Sequence, residues 1–234
     1  MSYLVALRVL CMRYTIARVS SLSAPDANWN RSEWQLAETL QITHFPWEDS
    51  GHHPTTEGRI LCSDTHLAVI FRVQDQYVRA IAQRFQDSVC SDSCVEFFVA
   101  PLPGSLAYFN FEINCGGTML LYRNPSVEEH AAGEIRIPVE ETDCSLITIA
   151  HSLPKIVEPE FVDPIVWTVE YQIPFTLFEK YFGSVRSSSG AAWRGNFYKC
   201  ADRTSHPHWG SWAPVETPRP NFHTPKCFQA IEFE

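Results

Sequence analysis

Hydrophobic and polar residues alternate most cleanly between Asp92 and Gly117, where Val95, Phe97 and Val99 share one face of an extended chain and Glu96 and Phe98 the other. Phe109, Phe111 and Ile113 repeat the pattern, with Tyr108, Asn110, Glu112 and Asn114 turned away. Pro101, Pro103 and Gly104 fall between the two runs, where strand pairing stops, so the segment predicts a β-hairpin. Its apolar face needs a second sheet to bury it. Its polar face needs water, mutual pairing or a ligand.

The same alternation predicts strands over residues 14–19, 59–62, 67–73, 119–122, 135–139, 146–150, 167–173, 193–200 and 228–233, with an edge segment in 36–45. Residues 63–66 are a turn, and 75–85 is either a helical turn or an extended connection. Residues 124–133, 155–164 and 202–225 are polar, proline-rich or histidine-rich and are expected to be loops or connections. One short helix is predicted over 175–182, after Pro174 closes a strand. With about nine or ten strands and no alternation of strands with helices, the expected fold is all-β. It is a two-sheet antiparallel β-sandwich of jelly-roll or immunoglobulin-like type, formed as one domain over residues 12–234.

Composition narrows this picture. Apolar residues make up 45% of the 234, and 15 Phe, 8 Tyr and 7 Trp fill one sandwich core and leave aromatics over. The formal charge of −9, from 27 acidic against 18 basic residues with no basic run, argues against nucleic acid or an anionic membrane as main partner. The 8 cysteines form no Cys-x-x-Cys pair and are expected as reduced, buried thiols. Residues 1–11 are apolar but short and interrupted by Arg8, which fits a leader or misassigned start better than a signal peptide or a membrane span. A cytoplasmic location is therefore favoured over a secreted one.

Four groups of residues could carry function. Alternation places Arg72, Glu96, Asn110, Glu112, Asn114, Glu170, Gln172 and Asn196 on polar strand faces. Gathered together they would suit neutral polyols with vicinal hydroxyls; the bland alternative is an outer face in water. Trp47, Trp209 and Trp212 stand in polar loops, with Trp29 and Trp34 behind them, and a free indole suits the CH-rich face of a sugar ring. His206 and His208, with Asp202 nearby, could ligate a metal, but no Cys or carboxylate set at characteristic spacing joins them, so a surface or loop role is favoured for them as for His52, His53 and His223. Calcium is the ion an acidic sandwich would take, yet no EF-type loop occurs. Finally, Glu96, Glu112 and Glu170 could include an acid and base pair for glycoside hydrolysis.

Four segments resemble the family 9 carbohydrate-binding modules and their family 9-like relatives in bacteria: Asp92-Ser-Cys-Val-Glu-Phe-Phe, Tyr108-Phe-Asn-Phe-Glu-Ile-Asn-Cys-Gly-Gly, Trp167-Thr-Val-Glu-Tyr-Gln-Ile-Pro and Trp193-Arg-Gly-Asn-Phe-Tyr-Lys-Cys. Trp212-Ala-Pro and Phe222-His-Thr-Pro are similar as well, so the likeness runs from about Met12 onward. It implies a β-sandwich that grips sugar between aromatic plates without cleaving it, and that carries structural calcium. Some relatives have an aromatic just ahead of the Asp-Ser-x-Glu segment, where Val89, Cys90 and Ser91 stand here, so Trp47, Trp209 or Trp212 would have to supply that plate. The expected function is binding of an oligosaccharide or polysaccharide with no cofactor required, and the alternative is a glycoside-active enzyme. The expected site is Trp47, Trp209 and Trp212 for stacking, with Arg72, Glu96, Glu112, Asn114 and Asn196 for hydroxyls.

Overall fold

The structure, a computed structural model, describes residues 12–234. The leader expected at 1–11 lies outside the described residues. Strands run, in chain order, β1 Arg13–Arg18, β2 Leu40–Ile42, β3 Thr55–Cys62, β4 His66–Asp75, β5 Val78–Ala80, β6 Cys94–Ala100, β7 Tyr108–Asn114 and β8 Met119–Leu120. They continue with β9 Tyr122–Asn124, β10 Ile137–Pro138, β11 Thr148–His151, β12 Val157–Phe161, β13 Ile165–Pro174, β14 Ala192–Cys200, β15 Trp209–Ser211 and β16 Gln229–Phe233. The helices are α1 Val127–Ala131, α2 Glu141–Cys144 and α3 Phe175–Phe182, and none among the described residues is long and apolar enough to cross a membrane.

Fourteen of the strands form one curled sheet in the order β10-β9-β7-β6-β14-β16-β1-β3-β4-β13-β11, with β2 on β3, β8 on β7 and β15 on β14; β5 and β12 pair separately. The curl comes from β1. Its first residues pair with β16, Tyr14 beside Ile231, and its last two pair with β3, Ala17 beside Leu61. One strand thus belongs to two layers, and the sheet folds there so that its halves face each other. Between them lie Phe97, Phe111 and Phe197 from one layer and Phe71, Trp167 and Tyr171 from the other. Phe71 meets Phe197 at 6.3 Å and Phe111 meets Tyr171 at 6.2 Å between ring centres, spacings typical of packed aromatic pairs.

The β-rich, two-layered expectation holds, but two details need correction. The sheet is mixed rather than purely antiparallel, because β1 runs parallel to both of its neighbours. The strand number exceeds nine or ten in part because the predicted strand 119–122 divides into β8 and β9, and because β5, β12 and β15 stand in 75–85, 155–164 and 202–225, segments that the sequence predicts as connections or loops. Alternation cannot declare itself over the three positions of β5 or β15, and Pro159 inside β12 reads as a strand breaker. Helix α3 occupies 175–182 as predicted. The expected loop 124–133 instead contains α1, closed at its start by a capping box in which the Ser126 side chain receives the Glu129 amide and the Glu129 carboxylate receives the Ser126 amide.

Candidate functional site

The polar face of the central hairpin is covered, not bathed. Strands β14, β6 and β7 lie side by side, so their outward residues form rows: Asn196, Phe98 and Asn110; Tyr198, Glu96 and Glu112; Cys200, Cys94 and Asn114. The segment after β14 folds back across these rows, and Val215, Phe222 and Phe228 pack on Phe98, Tyr108 and Tyr198. Phe222 stacks on Tyr198 at 4.1 Å. What this lid leaves open is a cavity of about 180 Å³ whose lining includes Glu96, Glu112, Asp202, Trp209, Asn221 and His223.

Glu96 and Glu112 are direct cross-strand partners, 2% and 6% exposed, so two carboxyls face one another with little water. Burial, and then the charge of Glu112, pushes the Glu96 pKa well up. Burial raises Glu112 to about 7, against the hydrogen bond from Asn110 and with a contribution from the Asp202 charge. Asp202 is itself raised by burial and accepts the Trp209 indole N–H at 2.7 Å, which fixes that ring at the cavity wall. His223 lies lower than usual, at about 4, because burial and then Arg136 disfavour its cation; its ring pairs with the Tyr108 hydroxyl at 2.7 Å. The cavity therefore offers a fixed indole and several carboxyl oxygens, and no Lys or Arg lines it.

Of the eight expected site residues, Glu96, Glu112 and Trp209 meet here. The other five are held elsewhere. Arg72 lies on the outer face of the opposite layer, where it pairs with Glu57 and sits 4.7 Å over the Trp29 ring. Alternation says that a side chain points outward but not from which layer, and β4 belongs to the other one. Glu170 shares that far face, bound by Arg31 and the Asp26 and Ala27 amides, so it cannot pair catalytically with Glu96 or Glu112. Trp212 is 5% exposed and packs edge-on to Phe197 in the core, not at a binding surface. Asn196 is fully buried and spends its amide on the backbone of Ala213 and Phe197. Asn114 pins the turn after β7: its oxygen receives the Gly116 and Thr118 amides while Gly117 takes the left-handed conformation at φ 80°. Trp47 is half-buried against Phe222, its N–H on the Thr217 carbonyl.

Sequence reasoning passed over Asp202 as a cavity wall and Asn221 and His223 as its rim. Asp202 stood out only as a neighbour of His206 and His208, and His223 only within the Phe222-His-Thr-Pro segment; the polar tail that carries them becomes a lid because β15 pairs with β14 and turns it back. The His206 and His208 pair is no metal site with Asp202. His206 stacks on Tyr77 at 3.5 Å, and buried His208 accepts from the Lys199 ammonium at 2.8 Å. Lys199 in turn stands 3.4 Å from Asp75, which His52 and Trp167 also contact. Among the described residues, the one grouping of three or more His, Cys, Asp or Glu donors near enough to share an ion is Cys94, Glu96 and Cys200. Two of its donors are sulfur, so it does not suit calcium, which takes oxygen ligands.

Comparison with curated proteins finds no match. Solved structures are similar over nearly the whole chain. A candidate carbohydrate-binding protein from Bacteroides uniformis is 29% identical with a TM-score of 0.83, covering 95% of this chain and 99% of that one. A family 9 carbohydrate-binding module from Caldicellulosiruptor kristjanssonii, in complex with glucose, is 11% identical with a TM-score of 0.61 over 95% of this chain and 96% of that one. The same kind of module from that organism, in complex with cellotriose, gives 11% identity and a TM-score of 0.59 over 95% and 94%. The family described as carbohydrate-binding family 9 matches residues 30–233, and with that span matched the chain belongs to carbohydrate-binding family 9.

Proposed function

We propose that this protein grips one sugar ring in the cavity between β6, β7, β14 and the lid, and releases it unchanged. The observation that carries the reading is the juxtaposition of the Trp209 indole with Glu96, Glu112 and Asp202 around a space of about 180 Å³. An indole held by its own N–H presents a flat apolar face to the CH groups of a pyranose, while carboxyl oxygens accept from its hydroxyls. The volume suits a single ring better than a length of chain, which favours a chain end or a free monosaccharide. The glucose and cellotriose complexes of the Caldicellulosiruptor family 9 module structures support the same ligand class. Trp209 supplies the stacking plate in this reading, since Cys90 lines the cavity where an aromatic precedes the Asp-Ser-x-Glu segment in some relatives.

Calorimetry with glucose, cellobiose and a wider sugar panel tests this. Trp209→Ala is expected to weaken binding by about 1 kcal/mol or more, the worth of a lost aromatic contact. Unchanged affinity in that variant would remove the stacking wall from the proposal. Oligosaccharides recovered intact after long incubation are the expected result; turnover abolished by Glu112→Gln would favour a glycosidase instead.

A further inference from the structure

Beneath the cavity, Cys94 Sγ, Cys200 Sγ and a carboxyl oxygen of Glu96 all lie within 4.8 Å of one another. The arrangement is built into the sheet: Cys94 and Cys200 are cross-strand partners on β6 and β14, and Glu96 is two residues along from Cys94 on the same face. Neither cysteine is in a disulfide, and the Cys200 thiol donates to Glu96 Oε1 at 3.1 Å. No other hydrogen bond reaches the Glu96 carboxyl among the described residues, although the residue is 2% exposed. Its second oxygen has no protein donor and is not among the sealed, unpartnered atoms of the interior, which leaves it open to the cavity that Glu96 and Cys200 both border.

We propose that Cys94, Cys200 and Glu96 form a three-ligand site for a thiophilic divalent cation of the zinc type, with its fourth position open to the cavity. Two sulfurs and one carboxylate oxygen are donors that zinc accepts in a tetrahedral shell, and three protein ligands with one open place is the pattern of an accessible zinc site. With Zn–S near 2.3 Å, ligand atoms around zinc stand about 3.5 to 4 Å apart, so rotation of the side chains closes the shell with the strands unmoved. Thiols bind as thiolates, so loading releases their protons to solvent and sets a dication beside carboxyls that have no Lys or Arg among the cavity lining. The inference stands on the sheet geometry and does not require that the cavity bind sugar.

The test is titration of the reduced full chain with Cd²⁺ and Zn²⁺. One equivalent of Cd²⁺ should give ultraviolet thiolate-to-cadmium absorption. Zinc calorimetry in buffers of different ionisation enthalpy should show proton release, and Cys94→Ser and Cys200→Ser should each weaken Zn²⁺ binding at least tenfold. Should a serine variant fail to fold, X-ray absorption at the zinc edge of the wild-type protein decides, with two sulfur neighbours expected. No thiolate absorption at one equivalent, a shell of nitrogen and oxygen alone, or undiminished binding in both variants would each overturn the site.

Discussion

His208 is an interior base held neutral. Burial first, then the Lys199 ammonium, depresses its pKa to about 2, so its folded form resists a proton that the unfolded chain accepts near pH 6.5. A depressed histidine contributes stability above the unfolded value and loses it as pH falls. Between pH 7 and pH 5 that loss is about 2 kcal/mol. Glu96 and Glu112, with raised values, run the opposite way and gain stability on acidification, so the wild-type profile alone mixes the two. The difference between wild type and His208→Gln isolates the histidine: chemical denaturation should show the variant losing less stability than wild type from pH 7 to pH 5. Trp209, on β15, and Trp212, just after it, separate in the same manner. Trp212→Ala removes a core side chain and should cost about 3 to 5 kcal/mol of unfolding free energy, whereas Trp209→Ala should register in sugar binding and hardly in stability.

At the scale of elements, the hairpin of β6 and β7, the hairpin of β3 and β4, and helix α3 were legible because each runs long enough for its period to repeat. Strands β5, β12 and β15 were not, and neither was the assignment of outward residues to one layer or the other, since that follows from strand order and not from spacing. Glu96 and Glu112 could be named because their pairing is local to one hairpin; Arg72 and Glu170 were drawn in wrongly because theirs is not. The element that decides the architecture is β1, and Tyr14 anchors it. Its hydroxyl donates to the Glu38 carbonyl at 2.6 Å and accepts the Ile60 amide at 2.8 Å, tying β1 across β3 from a side chain 2% exposed. Tyr14→Phe leaves the buried Ile60 N–H without a partner, and urea unfolding should show a loss of about 1 to 3 kcal/mol with an unchanged denaturant slope.

For the whole molecule, the sandwich has two covered outer faces of different character. One holds the carboxyl cavity under the lid; the other stacks Arg59 and Arg72 on Trp29, at 4.1 and 4.7 Å, and closes Glu170 with Arg31. They lie on opposite sides of the core, so substitutions on them should act independently. Arg72→Ala is expected to leave sugar affinity within measurement error, and a several-fold change by calorimetry would mean that the two faces communicate. The seam made by β1 has a consequence for how the molecule is born. Residues 13–16 find their partners only at 230–233, so a nascent chain leaving the ribosome carries an unfastened edge until those residues, more than two hundred positions later, have emerged. Contacts this distant in sequence make closure slow, and an interrupted translation product would expose that edge to neighbouring chains.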